Sequence, residues 1–539
     1  MKTFISLLIT SLLSLNLLHA QYISKVWKGD LGDGRYQNPI INADYSDPDV
    51  CLGADGYYMV ASSFNCVPGL PVLFSRDLVN WSLVGHALSR QVPEDFYNKV
   101  QHGSGVWAPS IRYHNKEYYV YWGNPDFGIY MVKASNPRGP WTEPHLVKAG
   151  KGLIDVCPLW DEDGKAYMSF ALAGSRAGLK SVLLVAPMSP DGKSLIGEPR
   201  IIYDGHEKNP TIEGTKFHKH EGKYYIFAPA GGVSTGWQVV LRADQPYGPW
   251  QVRTVMHQGK TKINGPHQGA WVRTPQNEDW FIHFQDVGVM GRVTHLNPMQ
   301  WKNGWPVIGL DGDNDGIGEP VSIYRKPVVP VRLPVATPAE SDEFDKATLG
   351  LQWQWQANPD FRWYYLDPAS GGNLRLYSFY TPGAISLWDV PNLLLQKFPA
   401  PNFKVTAKVR FEPDKRYKGE RGGLVVMGMD YAVLCIENTE DTLLLTQNTC
   451  NKADNNGTER IVAAVPLAQQ DIYLRVEVKE GQHCAFHYSL DGQKYIRVGT
   501  EFKAREGKWI GAKVGLFCTR PQESNDGGWL DVSYFRIEP

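Results

Sequence analysis

The chain of 539 residues has no excess of either charge: 55 Lys and Arg stand against 56 Asp and Glu, a net charge of −1. That balance excludes the broad basic field that binds nucleic acid. Beyond residue 20 no apolar run reaches membrane-spanning length, so no membrane span is expected. Cysteine is scarce, 7 in all, at positions 51, 66, 157, 435, 450, 484 and 518. None has the spacing of a metal site such as Cys-x-x-Cys, and an odd count leaves at least one thiol unpaired within the chain. They read as small buried apolar residues, with a disulfide conceivable in the second half. Also missing, between residues 47 and 308, is any amphipathic helix pattern of useful length.

What the chain has instead is aromatic side chains (12%, with 18 Trp and 27 Tyr), 53 Gly and 37 Pro. Many short strands joined by turns use such a composition, and flat apolar ligands such as sugar rings suit the aromatics. Residues 1–20 carry Lys2, an apolar run and a small residue, Ala20. This reads as a secretory signal peptide cleaved near Ala20. No Cys stands at the cleavage point, so no lipid anchor is indicated, and a periplasmic or extracellular protein is expected.

From residue 47 to about 308 one pattern recurs, roughly every 55 residues. A strand approaches a polar turn and an aromatic strand leaves it. The turns are Ala54-Asp55-Gly56, Asn115-Lys116, Glu162-Asp163-Gly164, His220-Glu221-Gly222 and Gln276-Asn277-Glu278. The strands after them begin at Tyr57, Tyr118, Ala166, Tyr224 and Trp280, and a further apolar strand follows each. Hairpins at this spacing, about four strands to a repeat, predict a β-propeller of five blades over residues 21–324. Residues 325–340 hold four prolines and read as a stiff linker. Residues 341–539 alternate without the repeat, as in "FKVTAKVRF" and "IYLRVEVKE", and predict a β-sandwich. The expected fold is all-β.

In a propeller the first strand of each blade lines the axis. Counting back about eight residues from each turn reaches Asp47, Trp107, Asp155, Glu213 and, a little further, His267. Any one of these alone reads as a turn residue, a solvated strand end or a core aromatic. Together they place three carboxylates, a Trp and a His at one mouth of the channel. Two carboxylates facing a pocket are the minimum for glycoside hydrolysis, one protonated to donate to the leaving oxygen and one ionised. Glu213, after the drier "KNPTI", is the candidate acid, and Asp47, in the polar "NADYSDPDV", the candidate base. Asp155 in "LIDVCPLW" has apolar neighbours and is placed to modulate and orient. Trp107 offers a stacking face, and Arg292 a donor to a sugar hydroxyl or an acid. His267 sits where an axial water or metal would be held, although a structural histidine competes with that reading and one His does not define a metal site. Glu343 and Asp531, near the first and last strands of the sandwich, are candidates to share a structural calcium.

These motifs resemble glycoside hydrolase family 43: "SDPDV" at Asp47, "LIDVCPLWDEDGKAY" at Asp155, "IEGTKF" at Glu213, "GVWAPSIRY" at Trp107 and "GRVTHLNPMQWKNGWPVI" at Arg292. The resemblance spans nearly the whole mature chain. It implies a five-bladed propeller and an inverting mechanism with Asp47 as general base, Glu213 as general acid and Asp155 as pKa modulator. Arg292 is similar to a substrate-contacting arginine of that family, and His267 to a histidine that sits under the site with water or calcium. No cofactor is implied for the chemistry. "ASSFNCVPGLPVLFSRDLVNW" (61–81) and the C-terminal half are similar to the β-xylosidase and α-L-arabinofuranosidase branch, which carries a concanavalin A-like sandwich. The implied substrate is a terminal arabinofuranosyl or xylosyl residue of a glycan, with Trp107 and Phe64 as pocket walls. In that branch a sandwich loop reaches the site with an aromatic residue. The matching run here, "WIGAKVGLF" (509–517), puts Lys513 at that position and predicts a polar far wall. The "EGTK" after the acid, where the family has "EGPH", is a smaller departure. Two alternatives stand beside this reading. Retaining fructoside hydrolases share the architecture but begin with a "W-x-N-D-P-N-G"-like run, which Asp47 lacks. A sugar-binding propeller without catalysis has no need of all three carboxylates.

Overall fold

A computed structural model describes residues 21–370, 372–440 and 442–539. The expected signal segment, 1–20, lies outside them. Five four-stranded antiparallel sheets follow one another, each with its strands in chain order. Their first strands are Asp49–Leu52, Trp107–His114, Leu153–Trp160, Lys216–His220 and His267–Arg273. The sheets are numbered here as blades one to five. The first four of these strands neighbour one another in turn, and the fifth packs against the second strand of blade four and against the first strand of blade one, which closes the ring.

Why the ring holds follows from its middle strands. Tyr57–Val60 and Glu117–Asn124 are apolar on both faces because each face meets another blade. One apolar cluster fills each seam between blades: Met59 and Leu73 meet Ile282 and Leu296, and Val60 and Val72 meet Val120 and Trp122. Met131 meets Met168, Val185 meets Ile226, and Phe227 meets Phe281. A fully buried side chain of this size contributes about 1.5–3 kcal/mol, so each seam is a substantial bond. The chain ahead of blade one clamps blade five: Ile41 bridges Thr294, and Tyr36 Oη donates to Leu296 O. Arg35–Gln37 pairs with Ile323–Arg325, the strand that follows blade five.

Beyond the linker, a seven-stranded and a six-stranded antiparallel sheet pack face to face. Asp471–Lys479 alternates buried and less buried residues along its length, as one face of a sandwich requires. The disulfide conceived for this half is absent, since all seven cysteines are free. Cys435 pairs in register with Thr446, and Cys484 with Phe502, so neither has a cysteine opposite. The shared calcium of Glu343 and Asp531 is also overturned. Glu343 receives Arg536 at 2.7 and 2.8 Å, and Asp531 receives Arg375 at 2.7 and 2.9 Å. Arg536 and Asp531 lie five positions apart on one strand, about 17 Å, so each acid serves its own arginine.

Candidate active site

The channel mouth is built by a repeated backbone device. One residue near the start of each inner strand has positive φ: Asp47 (54°), Ala108 (37°), Asp155 (60°), Gly214 (66°) and Gln268 (42°). In blades two, three and five the pairing with the second strand shifts register at this point. A left-handed residue in a bulge re-aims its own side chain and the one before it. A non-glycine residue held there costs about 1–3 kcal/mol, so four of the five blades carry strain at the mouth. The device corrects the count made on the sequence. Asp47 and Asp155 are the left-handed residues of their blades, whereas Trp107, Glu213 and His267 each precede theirs. The five residues occupy two adjacent phases rather than one, and both phases reach the mouth.

Asp47, Phe64, Trp107, Asp155, Glu213 and Arg292 line one pocket of about 480 Å³. Donors converge on Asp47. Its Oδ2 accepts the hydroxyls of Ser46 (2.8 Å) and Ser62 (2.5 Å), and Arg292 Nη1 lies 3.4 Å from Oδ1. Ser62 is itself fixed by the Ala108 N–H (2.7 Å), and Ser46 by Arg292 Nη1 (2.8 Å). Asp155 Oδ2 accepts the Gly214 N–H at 2.7 Å, and its carbonyl accepts the Thr215 hydroxyl at 2.8 Å. Those bonds hold Asp155 against the segment that carries Glu213.

Glu213 keeps 26% of its side chain open, toward the pocket, and is otherwise enclosed. Burial first, then the charges of Asp155 and Asp47, push its carboxyl up to about 8, against a smaller opposing pull from Arg292. Burial and the Asp47 charge raise Asp155 to about 6, although its bond from Gly214 opposes them. Glu213 is therefore a carboxylic acid at neutral pH beside a second carboxylate. His267 lies beneath, with Nε2 3.7 Å from Glu213 Oε1. Burial and the Arg292 charge drop its imidazole to about 3, so it is neutral and makes no ion pair with the acid. Among the described residues no group bonds either of its ring nitrogens. A single imidazole under the influence of Arg292 is a poor donor set for calcium, which prefers six to eight oxygens, and suits a water better.

Besides the apolar Ala108, Ile154 and Val233, two pocket residues escaped the sequence reading. Gln268 follows His267 and is the left-handed residue of blade five, equivalent to Asp47 and Asp155. Its side-chain amide lies beside the Asp155 carboxylate and favours the charged form there, and the repeat phase, counted one residue further, would have found it. Trp509 comes from the sandwich, is 49% exposed, and meets Trp107 edge to face at 6.1 Å. The Arg292 guanidinium lies 5.8 Å from its ring. Trp509 stands where Lys513 was expected. Lys513 opens the strand Lys513–Thr519 and is buried in the seam between the two halves, with Nζ on Cys66 Sγ (2.9 Å) and Gln354 Oε1 (3.1 Å). The far wall is thus aromatic, and "WIGAKVGLF" carried the residue four positions earlier. A larger cavity, about 690 Å³, lies at the same seam. Its one carboxyl, Glu340, is bonded to Ser24, so it lacks the pair of carboxyls that glycoside hydrolysis needs.

The family model of glycosyl hydrolases family 43 matches residues 36–306, and that of the β-xylosidase C-terminal concanavalin A-like domain matches 341–538. A protein of Xylanibacter ruminicola, provisionally named a β-xylosidase, is 40% identical over 499 residues, 92% of this chain and 88% of its own. A non-reducing end α-L-arabinofuranosidase of Bacteroides ovatus is 31% identical over 78% of this chain and 79% of its own. Among solved structures, a xylan β-1,4-xylosidase from Bacillus halodurans superposes with a TM-score of 0.82. It covers 93% of this chain and 100% of its own at 23% identity, a likeness of fold.

Proposed function

The chain belongs to family 43 of the glycosyl hydrolases, and on that premise we propose how its residues carry out the hydrolysis. The protein is an exo-acting glycoside hydrolase. The unit it releases is a terminal α-L-arabinofuranosyl or β-D-xylosyl residue of a plant cell-wall polysaccharide or oligosaccharide. Relatives named for each sugar support both.

Asp47 is the general base and takes a proton from water. The resulting hydroxide attacks the anomeric carbon, the glycosidic C–O bond breaks, and Glu213 gives its proton to the leaving oxygen. The product carries the inverted anomeric configuration. Asp155 does not touch the reacting atoms and keeps Glu213 protonated until the oxygen needs the proton. Arg292 and Gln268 donate to sugar hydroxyls, and Phe64, Trp107 and Trp509 supply the walls. The observation that carries this reading is the pairing of Glu213, raised to about 8 with Asp155 at its back, with Asp47 in the same pocket. Acid, base and water supply all the chemistry in this scheme. The test is proton NMR of the product in the first minutes of hydrolysis of a xylo- or arabino-oligosaccharide. Inversion is expected, and a product of retained configuration defeats the assignment of Asp47 as a base.

Export is proposed from the character of residues 1–20. A mature N-terminus near Gln21 in protein recovered from periplasm or medium supports it, and an intact Met1 opposes it. Among the described residues no helix is long and apolar enough to cross a membrane.

A further inference from the structure

Residues 311–319 read Asp-Gly-Asp-Asn-Asp-Gly-Ile-Gly-Glu. The stretch leaves Trp305–Ile308, the last strand of blade five, and returns to the edge of blade four. Leu310 pairs with Glu319, and Gly318 bridges Met256 at the end of Gln251–Met256. The Gly318 N–H bonds Val255 O and the His257 N–H bonds Gly318 O, each at 3.1 Å. The base of this loop has no slack, because a Cβ on Gly318 would stand 1.8 Å from Ile308 O.

Asp311, Asp313 and Asp315 each bring one carboxylate oxygen within 4.8 Å of the others. Exposed acids gather without consequence on many surfaces, but Asp311 is not exposed. Its side chain is 4% accessible and Oδ2 receives Lys302 Nζ at 3.0 Å. The other oxygen, Oδ1, is buried and has no hydrogen bond of good geometry among the described residues, although the Asn314 and Gly316 N–H groups turn toward the carboxylate. A buried carboxylate oxygen left without a partner is costly. Lys302 offsets one of the three negative charges and leaves two, the charge a divalent cation balances. The ligand spacing is that of positions one, three and five of a calcium loop, with Gly316 at the sixth position at φ +89°.

We propose that residues 311–317 bind one Ca²⁺ and that the ion clasps the outer edge of blade five to that of blade four. Oxygen-only ligands select a hard cation over zinc. The twelfth position is Ser322 rather than a bidentate glutamate, and Glu319 Oε1 accepts the Lys260 N–H at 3.2 Å. The shell is therefore completed by backbone carbonyl and water, and the affinity belongs to the weaker calcium modules, on the order of 100–1000 µM. None of these residues lines the catalytic pocket, so the ion acts on stability and not on the reaction.

The test uses the full chain, stripped with EGTA and titrated with CaCl₂ by isothermal calorimetry, with Tm followed in parallel. One ion per chain is expected, with a Tm rise of about 2–8 °C at saturating Ca²⁺. Asp313→Ala and Asp315→Ala, both at exposed positions, abolish the heat and the rise. Their kcat/KM at 25 °C stays within about twofold of wild type. Asp313→Asn keeps an oxygen ligand and the fold, and weakens binding about tenfold. Absence of calcium binding in the wild type overturns the proposal. So does binding, or a Tm rise, that survives in all three variants, since the ion would then lie elsewhere, under His267 for instance.

Discussion

At the scale of the residue, the Asp155 charge adds to burial in raising the proton affinity of Glu213. Glu213 is raised to about 8 by burial and by its two carboxylate neighbours, so the acid is protonated below that pH and is lost as pH rises through it. The alkaline limb of kcat/KM is expected near pH 8. Asp155→Asn removes a negative charge that raises Glu213, so its acid form is lost earlier. The limb moves toward acid by about one unit or more, while kcat at pH 5.5 falls less than at pH 7.5. An unmoved limb in a pH–rate profile rejects Asp155 as the modulator. The three carboxylates were legible in the sequence because a propeller repeats its geometry along the chain. What hid Gln268 was the bulge, which spreads the functional positions over two adjacent residues. Backbone φ is not written in the sequence at Asp or Gln as it is at Gly214, where glycine marks the left-handed turn.

At the scale of the element, the sandwich loop 505–512 completes the pocket. Asp44 holds it in place: Oδ1 accepts the Arg292 N–H and Oδ2 accepts the Gly511 N–H, each at 3.0 Å. One acid thereby fixes both the propeller strand that carries Arg292 and the loop that carries Trp509. The fit is close, since a Cβ on Gly511 would stand 2.7 Å from Gly291 N. Trp509→Ala is expected to lower kcat/KM about tenfold, roughly 1.4 kcal/mol, mainly through KM, with Tm nearly unchanged. An unchanged KM on oligosaccharides would remove Trp509 from the substrate wall. This element was only half legible. The run 509–517 pointed to the correct loop, but which residue of it faces the mouth depends on where the strand begins. The strand begins at Lys513, and that turns the lysine inward and leaves Trp509 free.

At the scale of the whole molecule, the two halves are joined by buried polar bonds as well as apolar contact. Gln354 Nε2 donates to Pro68 O at 2.8 Å, Val67 and Trp355 bridge, and Lys513 spans from the sandwich to Cys66. Asn358 bonds both the N–H and the carbonyl of Gln91, at 2.7 and 3.0 Å. Lys513→Ala leaves a void and an unpartnered Gln354 Oε1, at a cost of about 2–4 kcal/mol and several degrees of Tm. KM is expected to stay near wild type, and a large rise in KM would return Lys513 to the pocket. Five blades and a sandwich were legible because turn spacing and strand alternation are local signals. The seam was not, because its contacts join residues more than 200 positions apart, and a lysine buried against a thiol has no local signature.

The assignment of acid and base is the central claim, and leaving-group dependence tests it most directly. The measurement is kcat/KM for Asp47→Ala and Glu213→Ala on dinitrophenyl and methyl glycosides of the preferred sugar. Dinitrophenolate departs without a proton, and methoxide does not. Glu213→Ala is predicted to keep most of its rate on the dinitrophenyl glycoside and to lose about 10³-fold or more on the methyl glycoside. Asp47→Ala is predicted to lose about the same large factor on both. A leaving-group dependence in Asp47→Ala, or its absence in Glu213→Ala, would contradict the account.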